Sequence, residues 1–102
     1  SDPERQLAAA EEWLGLHRED ARLLQVLAEF ALRAGQAEKA RDYLQRSLAL
    51  EPTVEACKLM GDQFFAARNY QAASTIYRQG LKLAVGEPVA SDEAVPSPNN
   101  GF

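Results

Sequence analysis

Apolar positions along the chain predict helices. In four successive stretches, apolar or small residues recur at intervals of three and four, the period of an α-helix with one buried face. These residues are Leu24, Leu27, Ala28 and Ala31; Ala40, Leu44, Ser47 and Leu48; Cys57, Met60, Gly61 and Phe64; and Ala73, Ile76, Tyr77, Gly80 and Leu81. An earlier stretch places Leu7, Ala10 and Leu14 on one face. No segment alternates apolar and polar residues as a strand would, so the predicted fold class is all-α.

Residues that favour helix ends define the predicted bounds. Short polar side chains can accept hydrogen bonds from the first free backbone N–H groups, and glycine or proline commonly follows a helix. The predicted N-caps are Asp2, Asp20, Thr53 and Asn69, and the predicted stops include Gly35, Pro52 and Gly86. We therefore expect helices over residues 3–17, 21–34, 37–50, 54–68 and 70–85.

The chain also contains an internal repeat. Residues 27–50 align with residues 60–83 when the second segment is moved back by 33 positions, so that Ala40 meets Ala73, Leu44 meets Tyr77 and Ser47 meets Gly80. This predicts a first helix (1–19) that is the second half of a preceding or partial repeat, a first hairpin (20–52) and a second hairpin (53–86). Residues 87–102 have a polar, proline-containing composition without apolar periodicity and are predicted to be disordered.

The repeated positions resemble the tetratricopeptide repeat, which is about 34 residues long. The resemblance is carried by Leu24, Leu27, Ala28, Ala31, Gly35, Ala40, Leu44, Ser47 and Pro52, and again by Cys57, Met60, Gly61, Phe64, Ala73, Tyr77 and Gly80. It implies a right-handed α-solenoid of about five antiparallel helices that acts as a protein–protein interaction scaffold. Arg68 stands where the family has a small turn residue, which is expected to weaken that turn.

A narrower resemblance connects the chain with the C-terminal repeats of the HemY family. It rests on residues 9–14, 20–24, 39–44 and 47–52, and on Tyr77-Arg78-Gln79-Gly80-Leu81. The chain reads Gln36-Ala37-Glu38 where that family has Trp-Gly before Lys39. The resemblance implies a protein anchored in the bacterial inner membrane by a segment outside this sequence, with this domain cytoplasmic. It further implies that the protein assists an enzyme of protohaem IX (haem) biosynthesis rather than catalysing a step.

In the tetratricopeptide family the first helices of successive hairpins line a concave groove, so motif position implies a set of partner-binding residues. They are Arg22, Gln25, Val26, Glu29, Leu32, Arg33, Glu55, Lys58, Leu59, Asp62 and Phe65. Leu32 and Phe65 are the candidate apolar anchors for a peptide or helix. Asp62 would repel a partner carboxylate beside Lys58, which argues against a carboxylate clamp. The alternative is that this face is simply solvated or covered within a larger protein.

Charge and composition exclude several other functions. The net charge of −4 lacks the clustered Lys and Arg that bind nucleic acid, and no apolar run is long enough for a membrane span. The single cysteine, Cys57, is expected to be a buried, inert thiol, and the single histidine, His17, an exposed residue at a helix end. Trp13 is expected to pack in the core or an interface. The carboxylates, including Glu11, have the distribution of solvated helix faces, so we expect no enzyme activity, no metal and no cofactor.

Two alternatives to the scaffold remain open. Because about three repeats are needed for a stable solenoid, an exposed apolar end of the array could complete a larger structure or form a homodimer. A porphyrin or haem chaperone is the third hypothesis, although axial ligands for iron are not evident in the sequence. The chain begins at Ser1 without an initiator Met, which suggests a piece of a longer protein.

Overall fold

The computed structural model describes residues 1–86, and within that range it contains five α-helices and no strand. The helices are α1 (Asp2–Gly15), α2 (Ala21–Arg33), α3 (Ala37–Leu50), α4 (Val54–Ala66) and α5 (Tyr70–Ala84). The predicted all-α class is confirmed, and the predicted bounds agree with these helices to within two residues. The tail predicted to be disordered, residues 87–102, lies outside the described residues.

Side-chain caps begin four of the helices. Asp20, Thr53 and Asn69 accept hydrogen bonds from backbone N–H groups at 2.8, 3.1 and 3.3 Å, as predicted. The prediction of Asp2 as a cap is wrong, because Ser1 caps α1 instead. Ser1 pairs reciprocally with the side chain and backbone of Glu4 three residues later, a capping box that Asp2 cannot form because Arg5 lies at the matching position.

The turns that follow α2 and α4 have the same backbone conformation. Gly35 has φ = +75° and Arg68, at the equivalent position of the repeat, has φ = +65°. In each turn the next N–H donates back into the preceding helix, from Gln36 to the Ala31 carbonyl at 2.9 Å and from Asn69 to the Phe64 carbonyl at 2.8 Å. Arg68 thus holds a left-handed conformation that is unfavourable for any residue with a Cβ.

The core forms where α1, α2, α3 and the start of α4 meet. Each helix packs against the next one along the chain. The buried core cluster comprises Leu7, Leu24, Leu27, Ala28, Ala31, Ala40, Tyr43, Leu44, Ala56 and Met60. The buried Ser47 hydroxyl is satisfied because it donates to the Ala21 carbonyl at 2.7 Å. In contrast, only Ala73 and Gly80 of α5 are buried, so one side of the last hairpin is left uncovered by residues 1–86.

Small residues let α4 and α5 pack closely. A Cβ built on Gly61 would lie 2.3 Å from the Tyr77 ring, and one on Gly80 would lie 3.0 Å from the Cβ of Cys57. Both distances are shorter than an ordinary carbon–carbon contact. Cys57 is buried, as predicted, and burial raises the pKa of its thiol, so it is a poor nucleophile.

Candidate functional site

Seven of the predicted partner-binding residues lie together on one surface between α2 and α4. This surface, called here the α2–α4 surface, contains two depressions of about 390 and 200 Å³ that both include Glu55. The predicted residues lining it are Arg22, Gln25, Val26, Glu29, Glu55, Lys58 and Leu59, and the structure adds Glu51, Thr53 and Val54. Both polar and apolar side chains line it, and Val26 is 42% exposed.

Some polar groups of the α2–α4 surface are already engaged within the fold. Thr53 donates from its hydroxyl to the Gln25 side-chain oxygen at 3.3 Å, which links α2 to the start of α4. Lys58 forms an ion pair with Asp62 at 3.2 Å. Within residues 1–86, the side chains of Arg22 and Glu55 make no hydrogen bond or ion pair. These two charges are therefore the groups best placed to meet a partner.

The remaining predicted residues lie elsewhere or serve the fold. Leu32, a candidate anchor, is partly buried and packs against the core cluster. The Arg33 guanidinium lies over the Phe30 ring, 5.5 Å from its centroid. Phe65 is 57% exposed, but its ring contacts Tyr70 edge-on at 5.0 Å and lines a different surface. Asp62 also lines this other surface.

This second surface lies on the open side of the last hairpin and is called here the α4–α5 end surface. It contains depressions of about 370 and 280 Å³ that share Tyr77 and Leu81. The lining residues are Val54, Lys58, Asp62, Phe65, Tyr70, Ala73, Ser74, Tyr77, Arg78, Gly80, Leu81 and Ala84. The Tyr77 hydroxyl donates to Asp62 at 2.5 Å, and this hydrogen bond raises the pKa of Tyr77. The ring is therefore held in place while part of it stays exposed.

Sequence reasoning missed a polar contact that joins α1 to α3. Glu11 was expected to be an ordinary solvated carboxylate, but it accepts a hydrogen bond from the Tyr43 hydroxyl at 2.6 Å and pairs with Lys39 at 2.9 Å. Partial burial alone would raise the pKa of Glu11, but these two donors outweigh it and the pKa is lowered. Burial and the contact with Glu11 raise the pKa of Tyr43. These contacts join α1 to α3.

Trp13 corrects another expectation. It is not buried but 49% exposed, and its ring stacks on that of His17 with 3.5 Å between centroids. The His17 Nδ1 donates to the Trp13 carbonyl at 2.8 Å, near the C-terminus of α1. The exposed position predicted for His17 at a helix end is confirmed. Trp13 is exposed because no described helix lies against that side of α1.

A metal site needs several ligating side chains close together, and a membrane span needs a long apolar helix. Over residues 1–86, no group of three or more His, Cys, Asp or Glu side chains is arranged to hold a metal ion. None of the helices in that range has the length and apolar character needed to cross a membrane.

Comparison with known proteins adds no relative. No family model matches the chain, and no curated protein or solved structure is significantly similar to it. The resemblances to the tetratricopeptide repeat and to the HemY family rest on sequence motifs alone. The two surfaces are therefore the basis for a functional proposal.

Proposed function

We propose that this chain is a protein-interaction module of the tetratricopeptide type, and that the α2–α4 surface binds a segment of another protein. The observation that carries the proposal is the continuity of this surface. Seven residues predicted from motif position line two adjoining depressions on it. Packing of each helix against the next one along the chain is also what a stack of hairpins requires.

The chemistry of the α2–α4 surface indicates what kind of segment it would bind. Val26 and Leu59 offer apolar contact, while Arg22 and Glu55 offer charges without a partner in residues 1–86. Because Lys58 is paired with Asp62, carboxylates outnumber free cations here. We expect a segment with an apolar side chain and at least one Lys or Arg facing Glu55, since a charge-assisted hydrogen bond is stronger than a neutral one.

The narrower prediction, taken from the HemY resemblance, places the module in a protein that assists an enzyme of haem biosynthesis at the bacterial inner membrane. The role is that of a scaffold, not of a catalyst. Its support is the sequence motif of residues 39–44 and 47–52. It stays a prediction that recovery of a haem-pathway enzyme as the bound partner would test.

The experiment is affinity capture with the full chain as bait, comparing wild type with Glu55→Lys and Glu38→Lys. Both substitutions change the net charge equally, but Glu38 lies on α3, outside the α2–α4 surface. A true partner should lose at least about tenfold in affinity with Glu55→Lys, equivalent to ~1.4 kcal/mol, and nothing with Glu38→Lys. Equal loss in both variants would show that only overall charge matters, and would contradict the proposal.

A further inference from the structure

The internal repeat shows that, within residues 1–86, the α4–α5 end surface lacks a cover that its equivalent in the first hairpin has. A shift of 33 positions pairs Leu44 with Tyr77 and Leu48 with Leu81. Leu44 is fully buried and Leu48 is packed against the core cluster. In the second hairpin, Tyr77 is only partly buried and Leu81 is 65% exposed. Equivalent side chains are thus covered in one hairpin and open in the other.

The structure also shows what covers the equivalent positions in the first hairpin. Helix α4 packs against α3, and its Ala56 and Met60 join the core cluster beside Ala40 and Leu44. In the same way, α2 directly follows α1 along the chain and packs against it. In both cases the cover is an amphipathic α-helix that turns small and apolar residues inwards.

We propose that the α4–α5 end surface binds an amphipathic α-helix of a partner protein, seated on α5 as α4 is seated on α3. Such a helix would cover Phe65, Tyr77 and Leu81 with apolar side chains three and four residues apart. At the edge of this surface the Arg78 side chain has no hydrogen-bond or ion-pair partner within residues 1–86. An acidic residue on the flank of the partner helix would therefore complement it.

This inference does not depend on the proposed function of the α2–α4 surface, because the side chains that carry the two proposals differ. Val54 and Lys58 line both surfaces. Arg22 and Glu55 line only the α2–α4 surface, whereas Tyr77 and Leu81 line only the end surface. The Tyr77–Asp62 hydrogen bond already fixes the ring. A helix therefore meets a preformed apolar face, and little ordering is needed on binding.

The probe is a synthetic peptide of residues 20–35, acetylated and amidated, which has the sequence of a helix known to cover another one in this fold. It is titrated into the isotope-labelled full chain and followed by NMR. A single helix of this length is marginal in water, so we expect weak binding, with shifts concentrated around Phe65, Tyr77 and Leu81. The variant Leu81→Glu should weaken binding at least about tenfold, and so should Phe65→Glu.

Two control variants test whether the peptide binds specifically at the α4–α5 end surface. Leu16 is also exposed, 78%, but lines neither surface, so Leu16→Glu should bind the peptide as wild type does. Glu55→Lys should also leave peptide binding unchanged, which distinguishes failure here from failure of the α2–α4 proposal. Helicity by circular dichroism confirms that each variant is folded.

Several results would overturn the inference. They are absence of binding at millimolar peptide, shifts confined to the α2–α4 surface, or equal affinity for wild type and Leu81→Glu. Sedimentation equilibrium could give a further result that overturns the inference. A wild-type dimer that Leu81→Glu converts to a monomer would show that a second copy of the chain covers this surface instead.

Discussion

Replacement of Arg68 by glycine should stabilise the protein, because Arg68 occupies a backbone conformation that suits glycine. Its φ of +65° lies close to the +75° of Gly35 at the equivalent turn. A residue with a Cβ loses about 1–2 kcal/mol in this left-handed region. Glycine avoids that cost but makes the unfolded chain more flexible, which takes back about 0.5–1 kcal/mol. The expected net gain for Arg68→Gly is about 0.5–1 kcal/mol in the free energy of unfolding.

Two companion variants separate the backbone effect from the side-chain effect. Arg68→Ala keeps a Cβ in the left-handed region and removes only the guanidinium, which is exposed and has no ion-pair partner within residues 1–86. Its stability should be close to that of wild type. Gly35→Ala introduces the same strain into the first turn, where nothing lies within 4 Å of the new Cβ. It should cost about 1 kcal/mol, and this cost would come from backbone strain alone.

The assay is urea unfolding monitored by helical circular dichroism, with a thermal scan as a second measure. A constant m-value would show that the variants expose the same amount of surface on unfolding. For a domain of this size, the expected gain for Arg68→Gly raises Tm by about 2–8 °C. If Arg68→Gly has the same stability as Arg68→Ala, or is less stable than wild type, the left-handed strain is absent and the reasoning is wrong.

Two further predictions concern helix packing. Gly61→Ala should destabilise the protein by about 1–2 kcal/mol, because the new Cβ would overlap the Tyr77 ring and the overpacking cost exceeds the gain in helix propensity. The control is Gly15→Ala, whose new Cβ has no atom within 4 Å and which should lose no stability in the same urea assay. Glu11→Gln should cost about 1 kcal/mol at pH 7 by weakening the Tyr43 hydrogen bond. Because folding lowers the pKa of Glu11, this contribution is present above the unfolded-state pKa and is lost as the pH falls through the folded-state pKa. The difference between the unfolding curves of wild type and variant should therefore shrink as the solution is acidified. Curves that stay equally far apart at pH 7 and pH 3 would contradict it.

Local sequence signals were sufficient to predict the helices. Asp20, Thr53 and Asn69 act as caps because the hydrogen bonds they accept come from residues three positions later, and such contacts depend little on the rest of the fold. The error at Asp2 is also local, since the pairing of Ser1 with Glu4 could have been recognised in the sequence as a capping box.

Contacts between distant residues were not predictable in the same way. Glu11 and Tyr43 are separated by 32 positions, and no periodicity relates a carboxylate on α1 to a hydroxyl on α3. Trp13 was expected to be buried because large aromatic side chains usually are. Its exposure depends on which elements lie beside α1, and a single sequence does not contain that information.

The candidate surfaces also combine features that the sequence predicted with features that depend on the fold. Motif position in the tetratricopeptide resemblance implied which residues share a face, and Arg22, Val26 and Glu55 do lie together. It did not predict that Phe65, on the same helix as Glu55, faces a different surface. The turn after α4 brings Tyr70 against the Phe65 ring, and that contact depends on the three-dimensional path of the chain.

The last hairpin combines a strained turn, little buried area and the α4–α5 end surface. Helix α5 has only two buried residues, Ala73 and Gly80, and the turn before it contains the strained Arg68. Segments with little buried area open most readily, so α5 should be among the first elements to lose helicity.

A helix bound to the end surface would bury Leu81 and oppose this opening. At a ligand concentration 100 times Kd, linkage alone adds about 2.7 kcal/mol to stability. Binding of the peptide should therefore slow amide hydrogen exchange in α5 more than in α2, whereas a ligand of the α2–α4 surface should protect the start of α4 first.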